Sequence, residues 1–270
     1  MTPAEAAVYL EFAHDMAIAA GEAILPHFRN ALAVEDKRNF MGYDPVTVAD
    51  RAAETVIREA IKARFPDHGI LGEEHGHEAG TSALTWVVDP IDGTKSFILG
   101  QLHWGVLIAL HDGTRPVVGV TYQPFVGESF LGTAGGEARW RRGSESRRLR
   151  TRACARPEDA WVATTDPRQF VTPAENAALA AVSEGARFLR YGGDCYCYTQ
   201  LAMGLVDIVI ENGLQPYDVQ SLIPLVEAAG GVITNWQGGP CDQGGAVLAC
   251  GDPALHRILL QRLSGQGVRT

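Results

Sequence analysis

Residues 86–97, Trp-Val-Val-Asp-Pro-Ile-Asp-Gly-Thr-Lys-Ser-Phe, constrain the fold more than any other stretch of the chain. The short apolar run that ends in Asp89 reads as a buried strand. Pro90 stiffens the turn that follows. Asp92 is a good N-cap type, and Gly93-Thr94 would then open a helix. Two carboxylates, Asp89 and Asp92, therefore face a helix N-terminus whose free N–H groups suit a phosphate. Carboxylate oxygens are hard ligands, so a Mg²⁺ ion, a phosphoryl group and a water could meet at that point. Taken alone, Asp-Pro-x-Asp is equally an ordinary acidic strand-to-helix turn.

The 270 residues allow one large domain or two small ones, and 46% hydrophobic content is ample for a core. A net charge of −9 argues against nucleic acid as a partner. A small phosphorylated substrate stays compatible, because bound divalent cations reverse the local field. The five cysteines, Cys154, Cys195, Cys197, Cys241 and Cys250, are odd in number and lack C-x-x-C spacing. Reduced thiols and a cytoplasmic location are the simplest reading. No signal peptide and no run of 18 apolar residues is found, so no membrane partner is expected.

Residues 3–29 have helical periodicity, and Thr47 to Arg64 reads as a second amphipathic helix entered from the turn Gly42-Tyr43-Asp44-Pro45. Strand-like runs follow at Gly69–Leu71, Thr85–Val88, Gly105–His111 and Pro116–Gln123. Turns at Asp112-Gly113 and Gly135-Gly136 predict an antiparallel meander. From Pro157 onward, strands at 161–164, 188–190, 208–211 and 231–234 alternate with helices near 173–184, 194–204 and 218–229, which predicts an α/β layer. The chain thus divides into an α+β half, 1–152, and an α/β half, 153–270. Seven arginines between 139 and 152 read as a solvated hairpin rather than an RNA site, with an oligomer contact also open.

Acids and hydroxyls recur where chemistry needs them. They are Asp44-Pro45-Val46-Thr47-Val48-Ala49-Asp50 at the second helix, Gly72-Glu73-Glu74 after a short strand, the Asp89/Asp92 motif, and Gln215-Pro216-Tyr217-Asp218, with Asp218 capping a helix. Each has a bland reading: a surface acid, a loop acid or an N-cap. Together they offer enough carboxylates for two or three Mg²⁺ ions.

This ordered set resembles the inositol monophosphatase superfamily of Mg²⁺-dependent, lithium-sensitive phosphatases over essentially the whole chain. The resemblance implies a layered α-β-α-β-α sandwich in one compact unit, commonly a homodimer. It implies that Glu73, Asp89 and the carbonyl of Ile91 hold one metal, and that Asp89, Asp92 and Asp218 hold another, with a third, weaker ion near Glu73. Asp50, with Thr47 beside it, and Thr94 would orient and deprotonate the attacking water. The Gly93 and Thr94 N–H groups would receive the phosphate. Lys37 matches a lysine near the metal acids in relatives, or is a solvated surface charge.

The strings G-G-D-C-Y-C-Y and E-N-G-L-Q-P-Y-D look more like the histidinol-phosphate phosphatase branch than the inositol-specific members, which usually carry W-D where this chain has Tyr217-Asp218. Histidinol phosphate offers an ammonium and an imidazole, so its pocket should hold carboxylates beyond the metals. Asp194 and Glu211 are the candidates, and which group each takes stays open. Asp194 could instead cap a helix. Arg190 would support Asp194 or reach the phosphate. The expected activity is phosphate monoester hydrolysis, with histidinol-phosphatase in histidine biosynthesis first. An inositol-1-phosphatase or broad sugar-phosphate phosphatase comes second, and an inactive scaffold or ligand sensor is a remote third.

Overall fold

The computed structural model describes residues 1–30, 34–36 and 45–265. Helix α1 (Pro3–Ile24) opens with a capping box between Thr2 and Glu5. Strands β1 (Val34–Asp36) and β2 (Pro45–Thr47) form a small antiparallel pair. Helix α2 (Val48–Arg64) is capped by Thr47, whose hydroxyl accepts from Ala49 N–H. Of the turn expected at 42–45, residues 42–44 lie outside the described residues, as does Lys37.

The first sheet is built from β3 (Gly69–Gly72), β4 (Gly76–Glu78), β5 (Thr85–Asp92), β6 (Gly105–His111), β7 (Pro116–Gln123), β8 (Glu128–Thr133), β9 (Arg139–Arg142) and β10 (Glu145–Arg148). Helix α3 (Thr94–Ile98) lies between β5 and β6. Strand order is β10-β9-β8-β7-β6-β5-β3-β4, with only β3 and β5 parallel. The expected meander is present from β5 and runs on through β10, with Gly135-Gly136 in the turn between β8 and β9. The arginine-rich segment forms the β9–β10 hairpin at the sheet edge. Its charges pair locally: Arg141 with Glu11, Arg148 with Glu137, and Arg147 over the Trp140 ring.

The second half supplies β11 (Trp161–Thr164), α4 (Pro173–Ser183), β12 (Phe188–Tyr191), α5 (Tyr196–Ala202), β13 (Ile208–Leu214), α6 (Pro216–Val219), α7 (Leu222–Ala228), β14 (Val232–Asn235), β15 (Gly245–Cys250) and α8 (Pro253–Gly265). The sheet order is β12-β11-β13-β15-β14. Strand β15 and helix α8 were not anticipated. The helix expected at 218–229 is two helices. Pro224 cannot donate to the Gln220 carbonyl and its ring crowds that group, so α6 cannot run straight into α7.

The layers follow from three apolar clusters. Ala13, Ala17, Ile57 and Ile61 of α1 and α2 cover one face of the first sheet against Trp86, Val88 and Ile108. Leu201 of α5 and Leu225 and Val226 of α7 fill the space between the sheets, with Leu107 and Phe130 on one side and Val209 and Val247 on the other. Leu179 of α4 and Leu255 and Leu259 of α8 cover the outer face of the second sheet. This is the expected α-β-α-β-α stacking. The middle layer sits very close to the first sheet. Gly119 and Gly132 are cross-strand partners on β7 and β8, and a Cβ on either would overlap the backbone at Ser221 or Leu225. That glycine slot seats the start of α7, and with it α6 and Asp218.

Candidate active site

Strand β5 carries the first two acids past the end of its parallel neighbour. Its pairing with β3 stops at Gly72↔Val88, and its ladder with β6 skips from Asp89↔Leu107 to Asp92↔Gly105. Pro90, which has no N–H, sits in that irregularity. The released turn is closed from inside: Ile91 N–H donates to Asp89 Oδ1 at 3.0 Å, and the Thr94 hydroxyl donates to the Ile91 carbonyl at 3.1 Å. Asp92 is not the helix N-cap. It ends β5, and Gly93, at φ 82°, takes the cap position. A left-handed residue is needed there, and glycine adopts it without a steric cost. The Asp92 carboxylate is thereby left free to accept the Cys195 N–H at 2.8 Å.

Asp218 comes from the other half. It too is not an N-cap: Gln215 is, and Asp218 sits at the third helical position, accepting the Gln215 N–H at 2.7 Å. One oxygen each from Asp89, Asp92 and Asp218 lie within 4.8 Å of one another. Among the described residues, no ion pair neutralises these three acids. The electrostatic result is strong. Burial, then the charges of Glu73, Asp92 and Asp218, push the Asp89 carboxyl well above its usual range. Burial and then Asp92 do the same to Asp218, while burial and then Asp194 push Asp92 up to about 7. Three hard oxygen donors converge on one point with no cationic partner among the described residues, which fits a divalent cation.

Glu73 follows β3 directly. Its N–H donates to the Val88 carbonyl at 3.2 Å, which sets it beside Asp89 on the cleft wall. Asp50 lies in the first turn of α2, 1% exposed. Its Oδ2 accepts the Thr47 N–H at 2.9 Å and the Thr47 hydroxyl, and its Oδ1 has no partner among the described residues. Burial raises its pKa to about 6.

The acids floor a cleft of about 650 Å³. Gly93, Thr94, Lys95, Asp194, Glu211 and Tyr217 line it as well, and the Asp194 side chain lies close against Gly93. Asp194 does not cap α5, since Cys195 occupies that position. With φ at 46°, Asp194 turns its carboxylate to the Ser96 hydroxyl at 2.7 Å. Glu211, on β13, is 1% exposed. Its Oε1 accepts the Thr165 N–H at 2.7 Å and the Thr165 hydroxyl at 3.0 Å. Its Oε2 is buried with no partner among the described residues, and burial raises the carboxyl to about 8. Arg190 is exposed on the edge strand β12 and does not line the cleft; Lys95 and Arg168 do. Sequence reading passed over these two cations, the Ser96 hydroxyl and the Cys195 N–H. Only Ser96 carried a signal, lying two residues beyond Thr94 in the same motif.

Comparison with known proteins agrees with this geometry. The pattern of the "Inositol monophosphatase family" matches residues 5–266. The "Bifunctional phosphatase IMPL2, chloroplastic" of Arabidopsis thaliana is 38% identical over 92% of this chain and 72% of its own length. A histidinol-phosphatase of Chlorobaculum parvum is 34% identical, covering 96% of this chain and 98% of its own. Among solved structures, an inositol monophosphatase from Zymomonas mobilis superposes with a TM-score of 0.84 at 34% identity, over 98% of this chain and 100% of its own. An acidic cluster suited to a metal, the layered fold and a match over nearly the full length converge, and the chain belongs to the inositol monophosphatase family of metal-dependent phosphatases.

Proposed function

We propose that this chain is a Mg²⁺-dependent histidinol-phosphatase, hydrolysing L-histidinol phosphate to L-histidinol and phosphate. The observation that carries the substrate assignment is the pair of carboxylates lining the cleft, half-buried Asp194 beside the phosphate-receiving turn and buried Glu211, whose Oε2 has no partner among the described residues. An ammonium or imidazole donor beside them would gain charge-assisted hydrogen bonds, roughly 1.5–3 kcal/mol each. The Chlorobaculum relative supports this reading.

Glu73, Asp89, the Ile91 carbonyl, Asp92 and Asp218 would hold two to three Mg²⁺ ions. When bound, Mg²⁺ supplies Lewis-acid activation of water and neutralises charge on the phosphoryl oxygens. The protein's own groups do the rest. The Gly93 and Thr94 N–H groups at the start of α3 orient the phosphate. Asp50, poised near 6, accepts a proton through Oδ1, which has no partner among the described residues, and Thr94 aligns the water. Asp194 and Glu211 set the leaving alcohol in line. Residues 1–152 bring the main acids and 153–270 bring Asp218 and the substrate carboxylates, so the halves work as one unit, in the cytoplasm and as a homodimer. No described helix is long and apolar enough to cross a membrane.

The structural likeness to the Zymomonas inositol monophosphatase favours a second reading, an inositol or broad sugar-phosphate phosphatase. Phosphate release from L-histidinol phosphate and from myo-inositol 1-phosphate, side by side with Mg²⁺, separates the two. A hundredfold preference in kcat/KM for the former, about 2.7 kcal/mol, is the expected result. Comparable rates would discard the substrate assignment and leave the metal site standing.

A further inference from the structure

Glu73 stands in a three-residue loop, Glu73-Glu74-His75, that joins β3 to β4 where Gly72 pairs with Gly76. Such a loop turns backbone N–H groups away from both strands, and each needs an acceptor. One side chain meets the need. Glu54, on α2 and 0% exposed, accepts the Glu74 N–H on Oε2 at 2.7 Å and the His75 N–H on Oε1 at 3.2 Å. Arg58, one helical turn on, donates from Nε to Glu54 Oε1 at 2.7 Å and from Nη2 to the Gly76 carbonyl. The same guanidinium reaches Glu78, which pairs with Lys62 at the surface. The α2 helix thus grips the loop at both ends through a buried ion pair. Gly72 belongs to the same fit, because a Cβ there would overlap the Glu54 carboxylate.

We infer that Glu54 is a positioning residue for the metal site: it fixes the loop so that Glu73 meets Asp89. Two restraints bracket Glu73. Its own N–H is tied to the Val88 carbonyl, immediately before Asp89, and the next two N–H groups are tied to Glu54. With both in place the loop has no freedom to swing, and the glycine of Gly72-Glu73-Glu74 is explained by Glu54 and not by the metal. Glu54 touches neither substrate nor reacting atoms. Its effect passes through Glu73, as outer partners of metal ligands act generally.

This inference rests on the reading of Glu73 and Asp89 as metal acids and is independent of the substrate. The test is Mn²⁺ binding to chelator-stripped protein, followed by electron paramagnetic resonance, with the Mn²⁺-induced rise in Tm as a second readout. Glu54→Gln keeps the shape but sets an NH₂ against N–H donors. It should weaken Mn²⁺ binding about tenfold or more and shrink the Tm rise. Gly72→Ala should do the same by displacing the carboxylate. Lys62→Met, at the exposed end of the chain of charges, should bind as wild type does. A merely structural role would lower the Tm of the stripped Glu54→Gln protein yet leave the binding constant of the folded fraction within twofold, and that result overturns the inference. If Glu54→Gln does not fold, Gly72→Ala decides by the same criterion. Wild-type protein that takes up no Mn²⁺ refutes the metal reading itself, and the inference with it.

Discussion

Replacing Glu211 by glutamine should make the protein more stable and less selective, and the gain in stability should depend on pH. The Glu211 carboxyl is raised from an ordinary 4.5 to about 8, with burial as the main cause. Below pH 4.5 the folded and unfolded chains both hold this proton. Between 4.5 and 8 only the folded chain holds it, so the stability this group contributes is full at low pH and drains away as pH rises through 8. At ~1.36 kcal/mol per pH unit, that interval amounts to a loss on the order of 5 kcal/mol. Glutamine has no proton to lose. Its carbonyl can keep both bonds from Thr165 on the Oε1 side, so the fold should be preserved. Urea unfolding with a chelator present, at pH 5, 7 and 8.5, gives the difference between variant and wild type. The other site acids titrate in both proteins and largely cancel in that difference. Glu211→Gln should be ahead by several kcal/mol at pH 8.5 and near parity at pH 5. The same variant should lose most of its preference for histidinol phosphate, because an amide NH₂ now faces the substrate's donors. A stability difference that stays flat with pH would refute the argument that burial holds this carboxyl neutral.

Asp92→Asn should abolish turnover while keeping the fold, and by easing repulsion within the acid cluster it should raise the Tm of the stripped protein; retained Mg²⁺-dependent activity would break the metal assignment. Asp194→Ala should depress kcat/KM for histidinol phosphate far more than for glycerol 2-phosphate, and an equal loss on both would end its role as a substrate reader. Gly119→Ala should cost about 1–3 kcal/mol by urea unfolding. It forces α7 off the first sheet, so Mn²⁺ binding through Asp218 should weaken too; an unchanged unfolding midpoint would show that the slot is not tight.

The helices α1 and α2, the motif strand β5 and the alternating second half were legible because their signals are local: capping residues, apolar period, turn glycines. The convergence of Asp89, Asp92 and Asp218 could be read only through the family resemblance, since nothing in the spacing of Asp218 from Asp92 says that α6 packs against β5. Several elements gave weak signals. Strand β8, Glu128–Thr133, mixes polar residues with Phe130 and Leu131 because one face meets α7 through Gly132. The Asp92 cap failed because the strand runs on through Pro90 and a left-handed glycine takes over the turn. Arg190 failed because its strand lies at the sheet edge, a fact of topology invisible along the chain. Glu54 read as one more polar residue of an amphipathic helix; its burial depends on a hairpin some twenty residues downstream.

Two of the hydrogen bonds that join the halves beside the site run in opposite directions. Asp92 of the first half is held by the Cys195 N–H of the second, and Asp194 of the second half is held by the Ser96 hydroxyl of the first. Asp194 and Cys195 are joined by a single peptide bond. The group proposed to choose the substrate and the group that steadies a proposed metal acid are therefore neighbours in the chain. Exchanging Asp194 removes the Ser96 bond that holds the residue next to the amide Asp92 accepts from, and is expected to tilt that amide. On the roles proposed above, substrate preference and metal affinity would be mechanically linked traits, and a change of one would call for a repair of the other.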